Sequence, residues 1–277
     1  MSSKKEQQAA SLESRRLKEQ QDILCEHISF AASESYKLLR ANLLFTIPEE
    51  EKKIVGVTSS IRAEGKSTTA INLAYTVAET GSKVLLIDAD MRIPTIAKRL
   101  GLQRAPGLSN AIVEQHNINE YIQPSGKLDN WDIMASGNIP PNPSELLASN
   151  HFSNLLEKLA NVYDYIIIDL PPVNLVADAV TVTQKIHGLI FVVRQNFSSQ
   201  IAVKEAVAKL KFLETKILGF VLTDADEETS SRGLVASGSN YKKYYKRGYK
   251  YKKYGKYGYS DKYNSYDGYA YQNAKKE

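Results

Sequence analysis

Six short apolar runs recur along the chain: IVGVT (54–58), VLLID (84–88), WDIM (131–134), YIIID (165–169), LIFVVR (189–194) and ILGFVLT (217–223). They are apolar throughout rather than alternating, and most are rich in β-branched residues. Strands look like this when helices cover both faces of a parallel sheet. Between them lie stretches of helical period. ASESYKLLRANLLF places Leu38, Leu39, Leu43 and Leu44 at helical spacing, with Ser33 as a candidate N-cap and Pro48 as the stop. In STTAINLAYTVAETG, residues Ala70, Leu73, Ala74, Val77 and Ala78 share a face and Gly81 is a natural C′ residue. SELLASNHFSNLLEKLANV (144–162) reads as one helix capped by Ser144. The pattern predicts a doubly wound α/β domain with a mostly parallel sheet over 31–226. It is preceded by a mobile polar segment (1–30) and followed by a flexible linker and tail (227–277).

Charge separates these regions. Residues 241–277 carry eleven Lys/Arg against three Asp/Glu, a net of +8, so the other 240 residues hold a net of −3. The tail is also where the aromatic residues gather. Tyr241, Tyr244, Tyr245, Tyr249, Tyr251, Tyr254, Tyr257, Tyr259, Tyr263, Tyr266, Tyr269 and Tyr271 are twelve of the chain's seventeen tyrosines. A single cysteine, Cys25, excludes an intrachain disulfide and fits a reducing compartment. No stretch approaches the roughly eighteen consecutive apolar residues of a membrane span, and the N-terminal segment has no apolar core of a signal peptide. The expectation is a cytoplasmic protein whose membrane location, if any, comes through a partner.

Three strand ends carry the chemistry. The first apolar run leads into SSIRAEGKST, with a helical pattern following at once. This is the context of a phosphate-binding loop, built from Ser60, Arg62, Ala63, Glu64, Gly65, Lys66, Ser67 and Thr68. Loop N–H groups and the helix N-terminus converge on phosphates, Lys66 neutralises the β/γ oxygens, and Ser67 ligates Mg²⁺. The strict motif begins with glycine five positions before Gly65, and Ser60 stands there instead. VLLIDADMR ends in Asp88 and Asp90, with Arg92 following; these carboxylates can serve metal and proton, or cap the next helix. YIIIDLPP ends in Asp169, the Walker-B pattern in which a carboxylate reaches Mg²⁺ directly or through water.

Taken together, SSIRAEGKST, LLIDADMR, YIIIDLPP, the segment SGNIPPNPSELLAS and the tyrosine-rich tail resemble the bacterial tyrosine kinases of capsule and exopolysaccharide synthesis. The likeness is to the cytoplasmic kinase component of Gram-positive bacteria. It implies a P-loop NTPase fold of the deviant Walker-A (Min/Par-like) group. It also implies MgATP-dependent, non-specific protein-tyrosine kinase activity, with autophosphorylation of the tail in trans and control of polysaccharide synthesis and export. Lys66, Asp88, Asp90 and Asp169 become the catalytic set, with Asp88 favoured as base and Ser67, Asp90 and Asp169 serving Mg²⁺. The family's Glu-x-x-Arg-x-x-Arg helix of ring contacts maps to Glu34, Lys37 and Arg40, lysine replacing the middle arginine. A membrane-embedded activator or polysaccharide co-polymerase subunit, a homo-oligomeric ring when unphosphorylated, and a cognate protein-tyrosine phosphatase are the implied partners. The implied location is the inner face of the cell membrane.

Two rival readings differ in class. A Min- or Par-type positioning ATPase shares the loop architecture, but its signature lysine corresponds here to Ile61. An ATPase with a nucleic-acid-binding tail would use the interleaved Lys and Tyr for phosphate contact and base stacking; with a kinase body before that tail, no nucleic-acid partner is expected. Eukaryotic-type kinases are excluded by the lack of His-Arg-Asp and Asp-Phe-Gly motifs.

Overall fold

In a computed structural model the chain is described over residues 28–47 and 53–225. The polar N-terminal segment up to residue 27, the stop at Pro48, and the linker, the tail and all twelve of its tyrosines lie outside the described residues.

The apolar runs form strands, named here in chain order: β1 (Lys53–Ser59), β2 (Val84–Asp88), β3 (Gln123–Pro124), β4 (Trp131–Met134), β5 (Tyr165–Asp169), β6 (Gly188–Arg194) and β7 (Ile217–Thr223). They make one sheet in the order β3-β4-β2-β5-β1-β6-β7. All neighbours are parallel except the two-residue β3, which pairs antiparallel with β4. The helices are α1 (Phe30–Thr46), α2 (Lys66–Ala78), α3 (Ile96–Leu100), α4 (Leu108–Glu114), α5 (Pro143–Ala148), α6 (Asn150–Ala160), α7 (Asp178–Thr183) and α8 (Gln200–Phe212). None of the helices among the described residues is long and apolar enough to cross a membrane.

The continuous apolar runs follow from two separate cores, because successive strand residues point to opposite faces. Val55, Val57, Val84, Leu86, Ile167, Ile190 and Val192 face α2 and Leu43 of α1. Ile54, Leu85, Ile87, Ile166, Ile168, Leu189 and Phe191 face α6, α7 and α8. Tyr75 of α2 meets Trp131 edge to face at 5.8 Å. Gly56 interrupts β1 where a methyl group would collide with Leu189, Ile186 and Leu170. The edge strand β7 departs from the expectation of two covered faces. Phe220 and Leu222 stay exposed, so an apolar run alone does not show how far the helical layer extends.

Local chemistry moved several boundaries. Ser29, not Ser33, caps α1, its hydroxyl accepting from Ala32 N at 3.2 Å. The stretch expected as one helix over 144–162 is two. Ser149 ends α5 and caps α6, accepting from Phe152 N at 3.3 Å, and Ser144 is not the cap expected, because α5 already begins at Pro143 with Asn142 in the N-cap position. Gly81 does adopt a left-handed turn (φ +90°) after α2.

Candidate active site

The three motif strands are neighbours at the centre of the sheet. In the register of β5 with its flanking strands, Asp169 sits opposite Val57 of β1 and Asp88 of β2. Their parallel carboxyl ends therefore deliver the loop Ser60–Gly65, the Asp88/Asp90 pair and Asp169 to one place, as open α/β sheets do. The loop turns through left-handed Ala63 (φ 65°) and Gly65 (φ 95°), and Gly65 is the N-cap of α2.

Lys66 lies among the carboxylates. Its Nζ is 2.9 Å from Asp90 Oδ2, 3.4 Å from Asp169 Oδ1 and 3.3 Å from the Ser67 hydroxyl. All of these groups are buried. Burial works against the lysine's charge, but Asp169 and Asp90 outweigh it and hold the Lys66 pKa above the ordinary value. For Asp169, burial dominates and raises the pKa despite Lys66 and Ser67. Its second oxygen, Oδ2, is buried without a hydrogen-bond partner among the described residues. With the Ser67 hydroxyl and Asp90 alongside, that oxygen completes a set of hard donors of the kind Mg²⁺ selects.

Asp88 is fully buried and its oxygens are engaged by backbone. Oδ1 accepts from Asp90 N at 3.2 Å, and Oδ2 from Thr95 N and Ile96 N at 3.2 and 3.1 Å. Burial and then Asp169 push its pKa up to about 8. Asp90 accepts from Ile93 N with Oδ1 and keeps Oδ2 on Lys66. The capping role that the sequence left open thus falls to Asp88, which organises the start of α3.

The other expected loop residues separate by role. Arg62 and Ala63 are exposed. Ser60 and Glu64 are fully buried and bonded to each other, Ser60 Oγ lying 2.8 Å from Glu64 Oε1. Thr68 Oγ1 accepts from Arg99 Nη1 at 2.7 Å, a contact that sequence spacing does not reveal. Arg92 is held by Asp178 and by Ser144 in the first turn of α5. Asp178 was missed in the sequence because it looks like an ordinary first-turn acid of a helix. On α1, Glu34 and Lys37 pair with each other at 2.8 Å on the exposed face. Arg40 instead donates to the carbonyl of Thr76 at 2.6 Å, near the C-terminal end of α2, where a cation is favoured.

A family profile described as an AAA domain matches residues 52–217. A putative tyrosine-protein kinase CapB of Staphylococcus aureus is 35% identical over 213 residues, 77% of this chain and 90% of that protein. The tyrosine-protein kinase YwqD of Bacillus subtilis is 36% identical over 190 residues, 69% of this chain and 80% of that protein. Among solved structures, the kinase domain of Escherichia coli tyrosine kinase ETK superposes with a TM-score of 0.66 at 31% identity, covering 70% of this chain and 78% of that one.

Proposed function

The chain belongs to the bacterial tyrosine-protein kinases of capsule synthesis, and on that premise we propose that it moves the γ-phosphoryl group of ATP onto tyrosines of its own C-terminal cluster, Tyr241 to Tyr271. The observation that carries this reading is the position of Lys66, which meets Asp90 and Asp169 where three parallel strands end. Phosphoryl transfer asks a protein mainly for positioning and charge neutralisation.

Residues 60–68 form the nucleotide cradle, in which backbone N–H groups and the N-terminus of α2 face the phosphates and Lys66 meets the β/γ oxygens. Ser67, Asp90 and Asp169 would hold Mg²⁺, which would supply charge neutralisation on the phosphate oxygens. Lys66 Nζ, now on Asp90 Oδ2, would serve the phosphates, and Asp90 would be available to the metal. We assign Asp88, in its ionised form, as the group that takes the tyrosine proton; its three backbone N–H bonds fix its orientation. Arg92 steadies the loop that presents both aspartates.

Transfer in trans supports a ring of subunits in contact through α1, with Glu34 and Lys37 as its exposed charges. A membrane-embedded subunit is the proposed activator and brings the kinase to the inner face of the membrane. A protein-tyrosine phosphatase resets the tail. The test is incubation of the purified chain with MgATP, with and without a cytoplasmic activator fragment, followed by mapping of phosphotyrosine. Phosphate confined to 241–271, and lost in Lys66→Met, supports the reading. ATP hydrolysis without phosphotyrosine in either condition would move the chain to the positioning ATPases.

A further inference from the structure

Ser60 occupies the place of the first glycine of a strict phosphate loop, and the structure contains what makes that tolerable. Its side chain is fully buried, and its hydroxyl lies 2.8 and 3.0 Å from the two carboxylate oxygens of Glu64. Glu64 is also fully buried. Its Oε2 accepts from the backbone N–H of Ile61 at 2.8 Å. The Glu64 side chain therefore turns back into the loop and closes Ser60–Glu64 on itself.

A second layer holds this closed turn from outside. The hydroxyl of Ser198, in the turn after β6, donates to Glu64 Oε1 and accepts from Arg194 N at 2.8 Å. Thr223 Oγ1, at the end of β7, donates to the Glu64 carbonyl at 2.6 Å. Arg194 Nη1 donates to the Ala63 carbonyl at 3.2 Å. Ala63 is a non-glycine residue with φ 65°, a conformation that persists only when its surroundings hold it. A loop whose N–H groups are to meet phosphates needs this shape before the ligand arrives.

We infer that Glu64 is a positioning residue rather than a nucleotide ligand: its carboxylate satisfies Ser60 and Ile61 and, through Ser198, locks the phosphate loop to the end of β6, while its backbone carbonyl is held by Thr223 of β7. The inference rests on residues 60–68 being the nucleotide site. It also predicts coupling between Ser60 and Glu64, because removing the carboxylate leaves a buried hydroxyl unpaired, whereas removing both does not.

The experiment is calorimetric titration of the full chain and its variants with MgADP, with thermal unfolding recorded without nucleotide. Glu64→Ala is expected to weaken MgADP about tenfold or more, about 1.4 kcal/mol, with a melting temperature within a few degrees of wild type. Glu64→Gln keeps an acceptor for Ile61 and is expected to stay within about threefold of wild type. Ser60→Gly in the Glu64→Ala background is expected to recover part of the loss. Ser198→Ala, outside the loop, is expected to weaken binding about threefold, and it decides the matter together with Glu64→Gln if Glu64→Ala does not fold. The inference is overturned by unchanged affinity in Glu64→Ala, by a Glu64→Gln loss as large as that of Glu64→Ala, by additive effects of Ser60→Gly and Glu64→Ala, or by unchanged affinity in Ser198→Ala. Failure of wild type to bind MgADP would instead overturn the nucleotide site itself.

Discussion

Arg92 grips Asp178 at two points, with Nε 2.9 Å from Oδ2 and Nη2 3.1 Å from Oδ1. This pair fastens the loop that carries Asp90 to the first turn of α7. The two partners are unequal, because the Asp178 side chain is fully buried while that of Arg92 is 40% exposed. Arg92→Ala leaves the buried Asp178 carboxylate with the Ser144 hydroxyl but no countercharge, and is expected to cost about 3 kcal/mol. Asp178→Ala lets the arginine turn to water and should cost only about 1–2 kcal/mol. Urea unfolding of both variants checks the ranking; equal losses would contradict it.

Lys66→Met removes the cation that Asp88, Asp90 and Asp169 surround. Tail phosphotyrosine is expected to fall below about 1% of wild type, since the transferred group loses its main neutralising side chain. Phosphotyrosine immunoblots after MgATP incubation measure this. A persistent signal in the purified variant would point to another kinase.

Asp88 has a structural duty and a proposed chemical one. Asp88→Asn is expected to lower phosphotyrosine formation at least 100-fold, in the range of a lost general base, while MgADP affinity changes less than about threefold. If affinity falls as steeply as turnover, Asp88 only shapes the loop.

Stability should depend on pH through the buried carboxylates. The folded-state pKa of Asp88, about 8, exceeds its ordinary 3.8, and that of Asp169 is also raised. The folded chain thus binds more protons than the unfolded chain between those values, so this contribution is lost as pH rises from about 4 to about 8. In EDTA, the melting temperature of Asp169→Asn is expected to fall less over that window than that of wild type. Parallel profiles would refute the assignment.

Phosphorylation should change the assembly. The tail's net charge of +8 is cancelled by about four or five phosphates. Light scattering is expected to show a larger particle for the unphosphorylated chain than for the chain after MgATP. An unchanged mass would remove the charge-inversion mechanism.

The sequence by itself determined the strand–loop–helix order, the continuous apolar strands, the phosphate loop after the first of them and the acidic ends of two others. Each is a local signal, since period, β-branching and the glycine–lysine–serine spacing are all written in adjacent residues. Ser60 looked like a defect in the motif for the same reason, because its compensation is not adjacent. Only the tertiary structure brought Ser198 and Thr223 to Glu64, Asp178 to Arg92 and Arg99 to Thr68, across separations of 31 to 159 residues. It also split the helix expected over 144–162 and left β7 half uncovered. Those outcomes depend on which buried hydrogen-bonding groups must find partners once the sheet has closed, and folding settles that through contacts that no local pattern encodes.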